Sequence, residues 1–105
     1  MDAANLYHKL HLSVKHLVIG KGLLKDRLEE IYISHLISLK IDGTSEPEAK
    51  LREARDLATA ANPEWKKIGS LRYTLATNHW SKNRRIAELI FRAYELVSPE
   101  YYQRK

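Results

Sequence analysis

The sequence predicts an all-α protein, a compact bundle of four to five helices. Apolar residues recur at intervals of three and four through most of the chain, which is the spacing of amphipathic helices. A chain of 105 residues with 15 Leu, 8 Ile and 3 Val can bury a core of its own. It does not need disulfides, and it contains no cysteine to form them. We therefore expect a single helical domain over residues 1–105, with 98–105 as a frayed tail.

The first two apolar segments fit helices but also alternate as strands do. Residues 3–19 have helical spacing and stop at a Gly-Lys-Gly sequence, and residues 23–41 continue as a second helix that becomes apolar on nearly every side. Apolar and polar residues also alternate near 10–18 and 31–41, so a small α+β fold with strands there is the alternative. We favour helices because two strands alone make a marginal sheet.

The third helix has a clear start signal. Ser45 and Glu48 have the spacing of a capping box, and Pro47 suits the first turn of the helix that follows. The Asn62-Pro63 pair ends this helix and caps the fourth, because asparagine is a good N-cap and proline fits the first helical position.

The C-terminal region predicts either two helices or one. Residues 77–81 are rich in side chains that favour turns and caps, so we expect a break there, with Asn78 or Ser81 capping a fifth helix. That helix is expected to end before Ser98, which precedes a proline. One unbroken helix over 63–97 is the alternative.

Positive charge is concentrated at the C-terminal end of the sequence. Residues 1–64 carry nine Lys and Arg against ten Asp and Glu, whereas residues 65–105 carry nine against three. Such an excess predicts a surface for an anionic partner, which could be nucleic acid, a nucleoprotein complex or an acidic protein face. The candidate anion-binding residues are Lys66, Lys67, Arg72, His79, Lys82, Asn83, Arg84 and Arg85, with Trp65, Tyr73 and Trp80 as aromatics that could stack on bases.

We interpret the protein as a small basic binding protein that acts as a regulator or inhibitor, and we lean towards a protein that is not an enzyme. No glycine-rich phosphate loop, nucleophile elbow or carboxylate pair occurs in the sequence. Only His8 and His11 have ligand-like spacing, so neither a metal nor another cofactor is expected. The sequence starts without a signal-peptide layout and has no apolar run of about 18 residues, so we expect a cytoplasmic protein and no membrane partner.

A protein-interaction or homodimerisation module is one alternative. The second predicted helix carries Ile33, Ile37 and Ile41 in its most apolar part. A helix that is apolar on all sides is either buried in a bundle or used as an oligomer contact. A second copy of the chain could therefore bind to this part of the second helix.

A second alternative comes from a resemblance. Residues 68–75, with Arg72 followed at His79 by a histidine, resemble the Arg-x4–6-His motif of the HEPN nucleases, compact helical bundles that act as dimers. The resemblance implies a ribonuclease in which His79 is a general base on a ribose hydroxyl and Arg72 stabilises the charge on the phosphorane. An unbroken helix would be needed to place the two residues on one face.

Overall fold

The structure, a computed structural model, describes residues 3–37, 39, 41, 43, 45–59 and 67–103, and only the backbone of residues 3, 67–70 and 99–103. Its helices are α1 (Ala3–Ile19), α2 (Leu24–Ile31), which continues as a π-helix (Tyr32–Leu36), α3 (Glu46–Thr59), α4 (Lys67–Thr77) and α5 (Trp80–Gln103). These ranges contain no strand, so the all-α prediction is confirmed. None of the helices in them is long and apolar enough to cross a membrane.

The α+β alternative, with strands near 10–18 and 31–41, is wrong. Helix α1 buries Leu6, Leu10 and Ser13, which recur at helical spacing, whereas a strand would have placed Val18 on the same face as Leu10. Val18 is instead 75% exposed. Ile33 is likewise exposed, although strand alternation would have buried it with its apolar neighbours.

The second helix changes its geometry halfway along. After Ile31 the chain widens into a π-helix, in which the Ile37 N–H donates to the Tyr32 carbonyl at 2.8 Å, five residues back. Tyr32 and Leu36 point into the core, while His35 remains half-buried near α1. π-helices are rare and often occur at functional sites. The π-helix and the part of α1 next to His35 are therefore a candidate site.

Helix α5 is the central packing element of the bundle. It packs along both α3 and α1. Ala54 and Ala58 of α3 are fully buried, and their small side chains allow a close approach between helices. The buried residues of α5 that form the core are Ile86, Leu89, Ile90, Ala93 and Val97.

The predicted end of the last helix, before Ser98, is wrong. Helix α5 continues to Gln103, so most of the segment expected to fray has a helical backbone. Proline only biases the preceding residue away from helical geometry. The Ser98 hydroxyl donates to the Tyr94 carbonyl at 2.7 Å, a bond that is compatible with helical backbone at this position.

The capping box at the start of α3 is present with one difference. The Ser45 hydroxyl accepts from the Glu48 N–H at 3.4 Å, as predicted. The Glu48 carboxylate reaches back to the Gly43 N–H at 2.8 Å and also accepts from the Ser45 hydroxyl at 2.8 Å. The buried carboxylate therefore fixes both the start of α3 and the loop before it. The Asn62-Pro63 signal lies outside the described residues.

The predicted break between the last two helices is confirmed, which excludes one helix over 63–97. Helix α4 ends at Thr77 and α5 begins at Trp80. The cap comes from His79, and neither predicted candidate supplies it: His79 Nδ1 accepts from the Ser81 N–H at 3.3 Å. An imidazole nitrogen at this position satisfies one of the N–H groups that every helix start leaves unpaired.

Asn83 holds the broken chain together. Its side-chain amide donates to the Leu75 carbonyl at 3.0 Å, near the C-terminal end of α4, and its oxygen accepts from the Asn78 amide at 3.1 Å. Asn83 is only 5% exposed, so these bonds form away from water. They satisfy a carbonyl that the end of α4 would otherwise leave without a partner.

We predict that Asn83→Ala lowers the free energy of unfolding by about 1–3 kcal/mol, because the buried Leu75 carbonyl loses its partner. Urea unfolding followed by circular dichroism measures the change. Thr77→Ala is the control, since Thr77 is exposed and should change stability by less than about 0.5 kcal/mol. Equal unfolding midpoints for Asn83→Ala and the wild type would contradict the role of this bond.

We also predict that Tyr32→Phe leaves the free energy of unfolding unchanged or raises it by up to about 1 kcal/mol. Tyr32 is 5% exposed, and its hydroxyl has no hydrogen-bond partner among the residues that the structure describes. Burial raises the pKa of this hydroxyl, so it remains an unpaired neutral group. Urea unfolding tests the prediction, and a clear destabilisation would show that the hydroxyl has a partner.

Candidate functional site

Two of the predicted anion-binding arginines join helices to one another. Arg72 of α4 donates through Nε to Glu29 Oε1 of α2 at 2.5 Å, and this hydrogen bond and charge raise the pKa of the guanidinium. Arg85 of α5 lies 3.2 Å from Glu53 of α3, measured from Nη2 to Oε2. Arg72, Arg85 and Glu53 are exposed and Glu29 is half-buried. A stronger anion could still reach either arginine, but each arginine already has an acidic partner.

The remaining basic residues of the predicted set differ in how far their charge is balanced. Arg84 Nε lies 3.6 Å from Glu88 Oε1, one helical turn away. Lys82 is exposed and forms no ion pair within the described part of the chain. Lys66 lies outside the described residues, and for Lys67 only the backbone is described. The described part of this set therefore carries less unbalanced charge than its sequence suggests.

Two polar members of the predicted set have structural roles. The side-chain amide of Asn83 is buried and bonded to the Leu75 carbonyl, so it is not available to contact an anion. His79 is exposed but caps α5, with Nδ1 also 2.9 Å from the Ser81 hydroxyl. Helix α4 ends before His79, so the shared helix face that the HEPN resemblance needs for Arg72 and His79 is absent.

Among the described residues, Trp80 is the most exposed of the large aromatic side chains, and it lies beside a cleft. It begins α5, is 64% exposed, and has its ring centroid 5.4 Å from that of His79. Beside it is a shallow cleft of about 320 Å³, here called the Trp80 cleft. The cleft is lined by Leu23, Leu24, Lys25, Leu75, Ala76, Asn78, Trp80 and Asn83.

The Trp80 cleft combines apolar walls with a basic edge. Leu23, in the turn between α1 and α2, is 65% exposed and forms one wall. Lys25 lines the cleft without an ion pair to any described residue, and Arg84 lies one turn after Trp80 on the same face of α5. Trp80 was among the residues predicted from the sequence, but Leu23 was not, because the two residues are far apart in the chain and no local signal joins them.

A second candidate surface lies on α1, outside the predicted set. A cleft of about 310 Å³ opens between the end of α1 and the π-helix, and we call it the histidine cleft. Across it the rings of His16 and His35 meet edge to face, with centroids 6.5 Å apart. The cleft is lined by Leu12, Lys15, His16, Ile19, Gly20 and His35.

A sequence signal for this surface existed. No acidic residue occurs between Asp2 and Asp26, while Lys9, Lys15 and Lys21 fall in that interval. The near-zero charge balance of residues 1–64 hides the positive charge of this interval, because most acidic residues of that part of the sequence lie at position 26 or later. In the structure this interval includes helix α1, which contains Lys9 and Lys15 and no acidic residue.

We predict that acid destabilises the protein partly through His35. Partial burial lowers the pKa of His35, and the nearby charges of Lys9, His16 and His8 lower it further. Between this lowered pKa and the ordinary value of 6.5, the unfolded chain binds more protons than the folded protein, so the free energy of unfolding falls as pH falls. Urea unfolding at pH 7.5 and 5.5 should show a smaller loss for His35→Gln than for the wild type; an equal loss would contradict it.

Comparisons with known proteins give this arrangement no relative. No protein-family model, no curated protein and no solved structure matches the chain.

Proposed function

We propose that this chain is a binding protein that takes an acidic, partly apolar segment of a partner protein into the Trp80 cleft and regulates or inhibits that partner by occupying its surface. The observation that carries the proposal is Trp80 itself, 64% exposed at the start of a well-packed helix. Trp80 and the equally exposed Leu23 line the same cleft, and contiguous exposed apolar surface marks interaction sites where a single exposed residue does not. Tryptophan and arginine are also the residues that most often dominate protein interfaces.

The charges near the cleft favour a protein partner over nucleic acid at this site. Lys25 and Arg84 could pair with scattered carboxylates at the edge while apolar side chains fill the cleft between Leu23 and Trp80. A nucleic acid would bring closely spaced phosphates close to Glu88, which already balances Arg84. An isolated acidic group avoids that repulsion.

The homodimer and the ribonuclease, the two alternatives from the sequence, have less support than the Trp80 cleft. Of the three isoleucines proposed for a homodimer, only Ile33 is exposed, while Ile37 and Ile41 are half-buried. The ribonuclease would need Arg72 released from Glu29 and placed beside His79 across the break. Neither alternative is favoured by an observation of its own.

The test is selection of a random peptide display library on the purified protein, followed by binding measurements on the selected peptides. We expect selected peptides that combine Asp or Glu with aliphatic or aromatic residues. Trp80→Ala should weaken their binding by about 30-fold, the effect of losing a central interface residue worth about 2 kcal/mol. The melting temperature should stay close to that of the wild type, because the ring of Trp80 is mainly in solvent.

Phe91→Ala is the matched control. Phe91 is an exposed aromatic on the same face of α5, about 16 Å further along the helix, and it does not line the cleft. It should leave peptide binding unchanged. Equal losses in both variants, or peptides without acidic residues, would contradict the proposal. Light scattering that shows a dimer dissociated by Trp80→Ala would assign the cleft to a second copy and overturn the acidic partner.

A further inference from the structure

We propose that the basic face of α1, centred on the histidine cleft, binds the phosphate backbone of a single-stranded nucleic acid without reading its sequence. This surface and this ligand are separate from the Trp80 cleft and its protein partner. Three observations support it: lysines and histidines lie around the cleft, these lysines form no ion pair with any residue that the structure describes, and the lysines are too far apart for one small anion.

The outward face of α1 carries basic side chains with apolar side chains between them. His8, Leu12 and Lys15 follow one another at helical spacing, opposite the buried face of Leu6 and Leu10. The π-helix adds His35 beside this row. Leu12 and Ile19 provide apolar contact between the basic groups. His11 is not part of this face, since its ring lies near the Tyr7 and Tyr94 rings instead.

The lysines around this face form no ion pair within the part of the chain that the structure describes. Lys9, Lys15 and Lys21 form no ion pair with any described residue, in contrast to the arginines of α4 and α5. Helix α1 has no carboxylate of its own to compete with a phosphate. Partial burial is the main cause of the lowered pKa of His35, and the smaller contributions come from the positive charges of Lys9, His16 and His8 around it. The same positive charges disfavour a metal cation between His16 and His35, although their rings face each other.

The separation of the two lysines favours a polymer. Lys9 and Lys15 are six residues apart, about 9 Å along the helix axis and about 120° around it, so they lie on the two sides of the face and one small anion could not contact both closely. A nucleic acid strand carries a charge on every nucleotide and can cross the face from one lysine to the other. Basic grooves that follow the backbone are typical of sequence-independent binding of single strands.

The experiment measures fluorescence anisotropy of a labelled 20-nucleotide single-stranded DNA of mixed sequence over a range of salt concentrations at pH 7.5. Lys9→Gln with Lys15→Gln should weaken binding roughly tenfold. It should also reduce the slope of log binding constant against log salt concentration by about 1.4, which is the contribution of two phosphate contacts to a single strand. Lys50→Gln with Arg55→Gln on α3 is the matched control, with the same loss of charge at residues that form no ion pair in the described structure. It should change binding by less than about threefold.

Further arms separate the histidines, the ligand class and the other proposal. At pH 7.5, His16→Gln with His35→Gln should weaken binding less than the lysine variant does, because glutamine keeps a hydrogen-bonding side chain at both positions that line the cleft. Trp80→Ala should bind DNA like the wild type, so that failure at one cleft is distinguishable from failure at the other. Unchanged binding in the lysine variant, equal losses in the α3 control, or equal competition by poly-glutamate at matched charge would overturn the proposal.

Discussion

The bond between the Asn83 amide and the Leu75 carbonyl is the constraint on which the surface around Trp80 depends. It fastens the start of α5 to the end of α4 across a break of two residues, Asn78 and His79. A continuous helix would satisfy the Leu75 carbonyl through its own backbone, and Asn83 would have no reason to be buried. Because the chain breaks here, α5 begins with Trp80 at the surface, where its indole lies beside the Leu23 turn.

Local signals predicted most of the fold. Ser45 with Glu48, the Gly-Lys-Gly stop after α1 and the cap-forming residues at 77–81 each act within a few residues, so their effect is visible in sequence. The π-helix and the continuation of α5 past Ser98 were not predictable in this way. Both depend on how the segment packs: Tyr32 and Leu36 reach the core from a widened turn, and Val97 is buried just before the proline.

The candidate sites were less predictable because they depend on partners distant in sequence. Arg72 and Glu29 are separated by 43 positions and Arg85 and Glu53 by 32, so no tally along the chain could show that these charges balance. Asn83 was predicted to contact an anion, and the structure shows it buried. Its position among basic residues suggested contact with a ligand, whereas helix geometry turns it inward. The acid-free interval before Asp26 was visible in sequence, but only the structure shows that it forms one helix face beside His35.

The two proposed surfaces follow from a division of labour between the two basic side chains. Arginine, with its planar fork of donors, supplies the ion pairs of α4 and α5, and most of the lysines with described side chains remain unpaired. The lysines with described side chains that form no ion pair to a described residue are Lys25 on α2, Lys50 on α3, Lys82 on α5, Lys9 and Lys15 on α1, and Lys21 in the turn after α1. That turn lies between the clefts, since Gly20 lines one and Leu23 lines the other. A complex of protein and nucleic acid could therefore contact both clefts at once, through an acidic protein segment at Trp80 and a nucleic acid strand along α1.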